Sequence, residues 1–376
     1  MDGAPRVEVR VNVWPTASSS TGEAEFPVVV AVRVVDMQRR ARNPGEQAFR
    51  VVWQSAAGTS LGHCGGKSCS MLADGRRMLP ARVPLGETRG TSSWDDGAMT
   101  RTVSGAVVLI TGAASGMGRL YAERAVAEGA KAVILWDRDA GVLTRVAGLL
   151  GDQAGEGTLV APYVVDIADL GAIAQTAQRV RTEVGDPDIV INNAGIVRGA
   201  FFWEHDNGAD TRPTMQVNAL APMYITREFL PAMMANRSRA SRIVNIASAA
   251  GMLSTPRMSV YAASKAALIG WSDSLRIELR QERFGQVKVT TVCPSYISTG
   301  MFEGARGPLL TPVMTPDHVV ERVWQAMLAG KPMLTLPWTV ELSKVARGLL
   351  PLPLWDVVAG RVFGVYRSMD KFTGRS

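Results

Sequence analysis

From residue 105 onward, short and nearly unbroken apolar runs alternate with stretches whose apolar residues recur at helical spacing. The runs at 106–110, 131–136, 158–165, 188–191, 241–246 and 287–292 are rich in Val, Ile and Leu. A short continuous run of this kind predicts a strand buried on both faces. The intervening stretches 116–128, 140–150, 169–184, 215–235 and 259–283 predict helices. Strands separated by helices become parallel neighbours joined by right-handed crossovers. The expected fold class is α/β: a doubly wound parallel sheet with helices on both faces.

The pattern upstream is different. Residues 1–98 mix Ser, Gly and Arg, as in 16–22 and the loop-like 58–77. Valines alternate over 7–13 with the period of a strand, yet no helical period follows. We expect 1–98 to be a poorly ordered N-terminal extension, or an upstream over-extension of the coding region. The domain proper is then 99–376, reading naturally from Met99, with 300–376 as substrate lid and apolar C-terminal segment. His63, Cys64 and Cys69 lack a second ligand pair, so no metal site is expected.

Composition narrows the function classes. Of 376 residues, 47% are hydrophobic and 20% charged, enough for a packed core. Three cysteines do not make a disulfide scaffold and point to a reducing, cytoplasmic setting. The net charge of +7 suits an anionic cofactor or an anionic membrane surface. No basic run with interleaved aromatics occurs, so no nucleic-acid partner is expected. No secretory leader pattern and no unbroken apolar stretch long enough to span a bilayer are visible.

Three motifs carry chemistry. The first is Thr111-Gly112-Ala113-Ala114-Ser115-Gly116-Met117-Gly118, between the first strand and first helix. Glycines there permit a tight turn and close approach of backbone to a pyrophosphate, which the helix N-terminus attracts. An acid at the end of the second strand, Asp137, completes the dinucleotide fingerprint. Its carboxylate accepts from ribose hydroxyls and repels a 2′-phosphate, favouring NAD; neighbouring Arg138 would suit NADP.

The second is Tyr261-Ala262-Ala263-Ser264-Lys265, which sets Tyr261 and Lys265 one turn apart on one helix face. An ammonium beside a phenol lowers the phenol's pKa, so the pair can move a proton to or from an alcohol. The third is Ser248, at the end of the strand 241–246 and thirteen positions before Tyr261. Ser241 and Ser264 offer the same hydroxyl, but only Ser248 falls at the carboxyl edge of the sheet, where such folds bind ligands.

Taken together, these residues resemble the short-chain dehydrogenase/reductase family over roughly 104–299, and the fold then resembles its Rossmann sheet. The resemblance implies further roles. Asp166, with Ile167 after it, resembles the acid that contacts adenine. Asn193, Ala194 and Gly195, within Asn192-Asn193-Ala194-Gly195, resemble the motif lining the cofactor after the fourth strand. Asn218 resembles the Asn of the proton relay and joins Ser248, Tyr261 and Lys265 in a catalytic tetrad. Lys265 would also bond the nicotinamide ribose. After the sixth strand, Pro294, Ile297 and Thr299 fall in the nicotinamide segment, with Thr299 on the carboxamide. Ser295 stands where the family usually has Gly.

Thr299-Gly300-Met301-Phe302, Gly330-Lys331-Pro332-Met333 and the apolar C-terminus resemble the retinol dehydrogenase and 17-beta-hydroxysteroid dehydrogenase-like branch. That implies an oxidoreductase exchanging hydride between NAD, or NADP, and a lipophilic alcohol or carbonyl. The apolar stretch Met301, Phe302, Leu309, Leu310, Val313 and Met314 reads as a lid. The segment 338–355 reads as an interfacial stretch with basic anchors, giving peripheral membrane contact, or as core packing. The helix bearing Tyr261, Ala266, Ala267, Leu268, Trp271, Leu275 and Leu279 resembles the family's dimer-forming helix, so a homodimer or homotetramer is expected. A nucleotide-binding sensor without turnover is the alternative, and the complete tetrad speaks against it.

Overall fold

The computed structural model describes residues 102–154, 157–308 and 311–374, and the backbone of four strands in the N-terminal part. The chain divides into two units, 1–93 and 94–376. In the first, strands Glu8–Arg10, Ala31–Arg33, Ala48–Ser55 and Gly58–Gly65 pair antiparallel in chain order. Of the alternating valines, Val9 lies in the first of these strands, and Val7, Val11 and Val13 lie outside the described residues. The stretch from 58, expected as loop, opens instead with a strand paired along its whole length to Ala48–Ser55. A neighbouring ladder outweighs the weak strand preference of its glycines. Of the other expectations for 1–98, His63 and Cys64 fall on the backbone of this last strand, while their side chains, Cys69 and a start at Met99 lie outside the description.

The second unit is a seven-stranded sheet. Its strands are β1 (Val107–Thr111), β2 (Ala132–Asp137), β3 (Leu159–Val164), β4 (Ile189–Asn192), β5 (Ser241–Ile246), β6 (Val287–Pro294) and β7 (Met333–Leu336). The order is β7-β6-β5-β4-β1-β2-β3, with every neighbour parallel. The winding reverses between β1 and β4, which opens a crevice at their carboxyl ends.

Apolar runs are unbroken because both faces are buried. Val108 and Ile110 point into one core with Tyr121, Leu143 and Trp324. Val107 and Leu109 point into the other with Trp136, Ile173 and Phe229. The first core is covered by α1 (Gly116–Ala127), α2 (Ala140–Ala154) and, further on, the helix Pro316–Leu328. The second is covered by α3 (Leu170–Glu183) and the helices Ala221–Ala235 and Ser259–Gln281.

Two regions differ from the pattern reading. The single helix expected over 215–235 is α4 (Arg212–Met215), a wide π-type turn over Gln216–Leu220, and α5 (Ala221–Ala235). Beyond α6 (Ser259–Gln281), the chain adds α7 (Pro316–Leu328), β7, α8 (Thr339–Leu349) and α9 (Leu352–Val357). Pro351 caps α9 and Pro353 sits in its first turn, where the missing N–H is harmless. The prolines that break a spanning helix therefore start a short one. No helix among the described residues is long and apolar enough to cross a membrane.

Candidate active site

The loop from Thr111 to Gly118 turns sharply off the end of β1 into α1. Gly112 takes φ +67°, a left-handed value that side chains disfavour. Gly118 stands so close to the carbonyl of Gly112 that a Cβ there would collide with it. Ser115 is extended at the N-cap of α1, so the loop ends on the positive end of the helix dipole. Asp137, at the tip of β2, accepts from the Ala114 N–H at 3.0 Å and the Asp139 N–H at 3.1 Å. Its carboxylate is thereby fixed against the same loop, with Arg138 exposed beside it.

Thr111 links β1 to the motif after β4. Its hydroxyl accepts from the N–H groups of Asn193 and Ala194, both at 3.0 Å. The Asn193 side chain donates back to the Thr111 carbonyl at 3.0 Å. At Gly195 an added Cβ would lie 3.3 Å from Asn218 Oδ1 and 3.5 Å from Lys265 Nζ. The Thr299 side chain reaches Gly116 from the far side, 3.8 Å from where a Cβ would sit. The crevice is therefore bordered by the loop, the acid, the glycine and the threonine that the sequence singled out. Asp166 lies further along, accepting from the Ala168 N–H at 2.9 Å. Ile167 packs against the second core beside it, and Met117 against the first.

Ser248 follows β5 in extended conformation and accepts from the Ala250 N–H at 3.1 Å. Its hydroxyl faces the Pro294 carbonyl at 3.4 Å and hydrogen-bonds the Tyr261 side chain. Tyr261 and Lys265 lie in the first two turns of α6, both buried. Lys265 Nζ donates to the Ile246 carbonyl at 2.7 Å and stands 5.8 Å from the Tyr261 ring centre. The sequence predicts a phenol made more acidic by its lysine. In the structure burial dominates both groups: it pushes Tyr261 up to about 12 and pulls Lys265 down to about 8. The Ser248 hydrogen bond works against the tyrosine shift.

Asn218 sits in the wide turn between α4 and α5, a departure from α-helix that often marks a working residue. Its side chain clasps the backbone of Ile196, accepting from the N–H and donating to the carbonyl, each at 2.8 Å. It also donates to Ser264 Oγ at 3.1 Å, and Ser264 donates to the Tyr261 carbonyl at 2.7 Å. Ser264 thus has a place that sequence reading did not assign: it ties Asn218 to the start of α6. The signal was its position within the Tyr–Lys turn.

The segment 294–299 is ordered by pairing. Ile297 bridges to Met314, and the Ser298 N–H donates to the Met314 carbonyl at 3.0 Å. Ser295 needs no glycine-like backbone. Only Arg257 and Arg283 take positive φ among the described non-glycine residues. Of the stretch expected as lid, Phe302 stands edge-on to Tyr261 at 6.0 Å, Met314 is buried in the core, and Val313 is exposed. Leu309 and Leu310 lie outside the described residues.

Beside Ser248 opens a cavity of about 350 Å³. Leu253, Met258, Tyr296, Phe302, Val340 and Trp355 are among its mainly apolar walls, so α8 and α9 contribute to it. On α6, Leu268, Leu275 and Leu279 are buried within their own subunit, so an interface on this helix would use its exposed Ala263, Ala266 and Gly270. No cluster able to hold a metal ion occurs among the described residues.

Comparison with known proteins agrees with this geometry. Residues 106–308 match the short chain dehydrogenase family model. Epidermal retinol dehydrogenase 2 of Mus musculus is 35% identical over 279 residues, covering 73% of this chain and 87% of that protein. Estradiol 17-beta-dehydrogenase 11 of Macaca fascicularis is 34% identical over 251 residues, covering 67% and 81%. A short-chain dehydrogenase/reductase from Burkholderia phymatum, solved in complex with NAD, superposes with a TM-score of 0.58 at 27% identity, covering 65% of this chain and 94% of that one. One from Burkholderia cenocepacia, solved with NADP, gives 0.56 at 27% identity, covering 69% and 98%. The chain belongs to the short-chain dehydrogenase family, in its retinol and 17-beta-hydroxysteroid dehydrogenase-like branch, and is an oxidoreductase of that class.

Proposed function

We propose that this protein exchanges hydride between NAD(H) and the alcohol or carbonyl of a lipophilic molecule, of retinoid, steroid or long-chain alcohol type. The observation that carries the reading is Ser248 in the wall of an apolar cavity, hydrogen-bonded to Tyr261, whose ring centre lies 5.8 Å from Lys265 Nζ. The loop Thr111–Gly118, Asp137, Asp166, Asn193 to Gly195 and Thr299 would hold the dinucleotide, which supplies a hydride acceptor or donor for the carbinol carbon. Asp137 favours NAD, since a 2′-phosphate would meet its carboxylate.

Tyr261 takes the hydroxyl proton in oxidation and returns it to the carbonyl oxygen in reduction. Ser248 holds that oxygen where negative charge develops. Lys265 orients Tyr261 and the ribose. The side chain of Asn218 is committed to Ile196 and Ser264. Its main-chain carbonyl, in the wide turn, is then the atom to hold a water that carries the proton outward.

The reading extends to a lipid surface. Trp338 and Leu342 line the cavity and yet are 72% and 58% exposed. Leu349, Leu352 and Leu354 extend the exposed apolar face along α8 and α9. A cavity mouth set in such a face suits a substrate drawn from a bilayer, with basic residues such as Lys344 and Arg361 near anionic headgroups. The catalytic domain is taken as 99–376, assembled as a homodimer or homotetramer.

Purified protein titrated with NADH and NADPH, and assayed on retinoids, steroids and long-chain alcohols, tests the reading. Tight NADH binding with turnover of an apolar alcohol is the expected result. Turnover confined to small polar substrates would overturn it.

A further inference from the structure

A buried polar bridge crosses the carboxyl end of the sheet. Asn192 and Asn245 are the last residues to face each other where β4 and β5 pair. Asn192 Nδ2 donates to Asn245 Oδ1 at 2.8 Å and to Thr226 Oγ1 of α5 at 3.3 Å. Asn245 Nδ2 donates to Ser272 Oγ of α6 at 2.8 Å, and the Ser272 hydroxyl donates to the Leu268 carbonyl at 2.6 Å. All four side chains belong to residues no more than 2% exposed. Polar groups this deep are costly unless bonded, so each bond in the bridge constrains the next.

The bridge ends beside Lys265. One residue past Asn245, beyond the last β4–β5 pair, the Ile246 carbonyl accepts from Lys265 Nζ at 2.7 Å. Lys265 and Ser272 are one heptad apart on α6, so they share a helix face. The helix is therefore fastened to the end of β5 at two points: Ser272 on the Asn245 side chain, and Lys265 on the next carbonyl. The same amine stands against the motif after β4, 3.5 Å from where a Cβ on Gly195 would sit. The two anchors differ in stiffness. A four-carbon lysine stem reaches its carbonyl from a range of helix positions. Ser272 and Asn245 are short and meet only when α6 lies at one depth over β5. The short pair thus fixes the helix, and the helix fixes the amine.

We propose that Asn245 and Ser272 are positioning residues for Lys265: their bond sets α6 against the end of β5 and holds the lysine amine where the nicotinamide ribose meets it. Neither residue lines the cavity beside Ser248. This rests on the dinucleotide reading of the same crevice.

The test measures NADH binding by fluorescence and ADP binding by calorimetry. ADP keeps the adenosine and both phosphates and lacks the nicotinamide ribose. Wild type is compared with Ser272→Ala, Asn245→Ala, Lys265→Met and the double variant of Ser272→Ala with Lys265→Met. Ser272→Ala should weaken NADH by about tenfold, the scale of one hydrogen bond to a charged group, and leave ADP unchanged. The double variant should bind NADH no more weakly than Lys265→Met alone, because both changes act through one amine. Ser272→Thr, which keeps the hydroxyl, should restore NADH affinity. ADP binding also shows that a variant is folded, so the Ser272 variants decide the matter if Asn245→Ala does not fold. Unchanged NADH affinity in Ser272→Ala, equal weakening of NADH and ADP, or effects that add in the double variant would overturn the proposal. A wild type that binds neither nucleotide would instead overturn the dinucleotide reading, and the proposal with it.

Discussion

Lys265 reaches past Tyr261 to the carbonyl of Ile246, 2.7 Å away, and both side chains of the pair are shut off from water. Burial disfavours the ammonium and the phenolate alike, so the free protein holds a protonated tyrosine beside a lysine poised near pH 8. On the proposed reading, alcohol oxidation needs the base form of Tyr261. We expect kcat/KM for oxidation to climb between pH 7 and 10, approaching tenfold per pH unit, while reduction shows no such rise. A pH profile that is already flat at pH 7 would contradict this.

The same lysine weighs on stability. Its folded pKa of about 8 lies below the ordinary 10.5, so between these values the unfolded chain binds more protons and stability rises with pH. Tyr261 acts oppositely, since its folded pKa of about 12 exceeds 10.0, and its contribution fades above pH 10. Lys265→Met should therefore melt several degrees higher than wild type at pH 7 without cofactor, reflecting on the order of 3 kcal/mol of relieved burial less the lost Ile246 bond. The gap should shrink at pH 9.5. Thermal melts at the two pH values measure it.

Tyr261→Phe removes one hydroxyl and leaves the cradle around Gly112, Asn193 and Thr299 in place. Turnover should fall by about a thousandfold or more, the range of a lost general acid–base group, with NADH affinity unchanged in a fluorescence titration.

Asp137 is fixed by two backbone N–H groups, so its carboxylate cannot swing clear of an added phosphate. Asp137→Ser should erode the preference for NADH over NADPH by about tenfold to a hundredfold, read as a ratio of dissociation constants. An unchanged ratio would shift cofactor choice to Arg138 or elsewhere.

The exposed face around Trp338 and Leu342 makes a further prediction. Wild type should float with vesicles containing anionic lipid at low salt, and Trp338→Ala combined with Leu342→Ala should reduce the bound fraction severalfold. Flotation that is absent, or indifferent to both substitutions, would remove the lipid surface from the reading.

By itself the sequence determined the alternation of strands and helices up to β6, and the residues at each strand end. Unbroken apolar runs arise because a parallel sheet is covered on both faces, and glycines and the Tyr–Lys spacing carry their backbone and helical meaning locally. It did not determine α7 to α9 or β7, where Pro and Gly punctuate the pattern and the amphipathic faces gain meaning only against the cavity. The wide turn at Asn218 was also beyond it, since a helix that loosens for one turn keeps its apolar period. Tertiary structure alone decided that Ser264 bonds Asn218, that burial governs Tyr261 and Lys265, and that Met369 joins one buried cluster with Tyr261 across more than a hundred residues of chain. Contacts so distant in sequence depend on how the layers pack, and no local pattern encodes them.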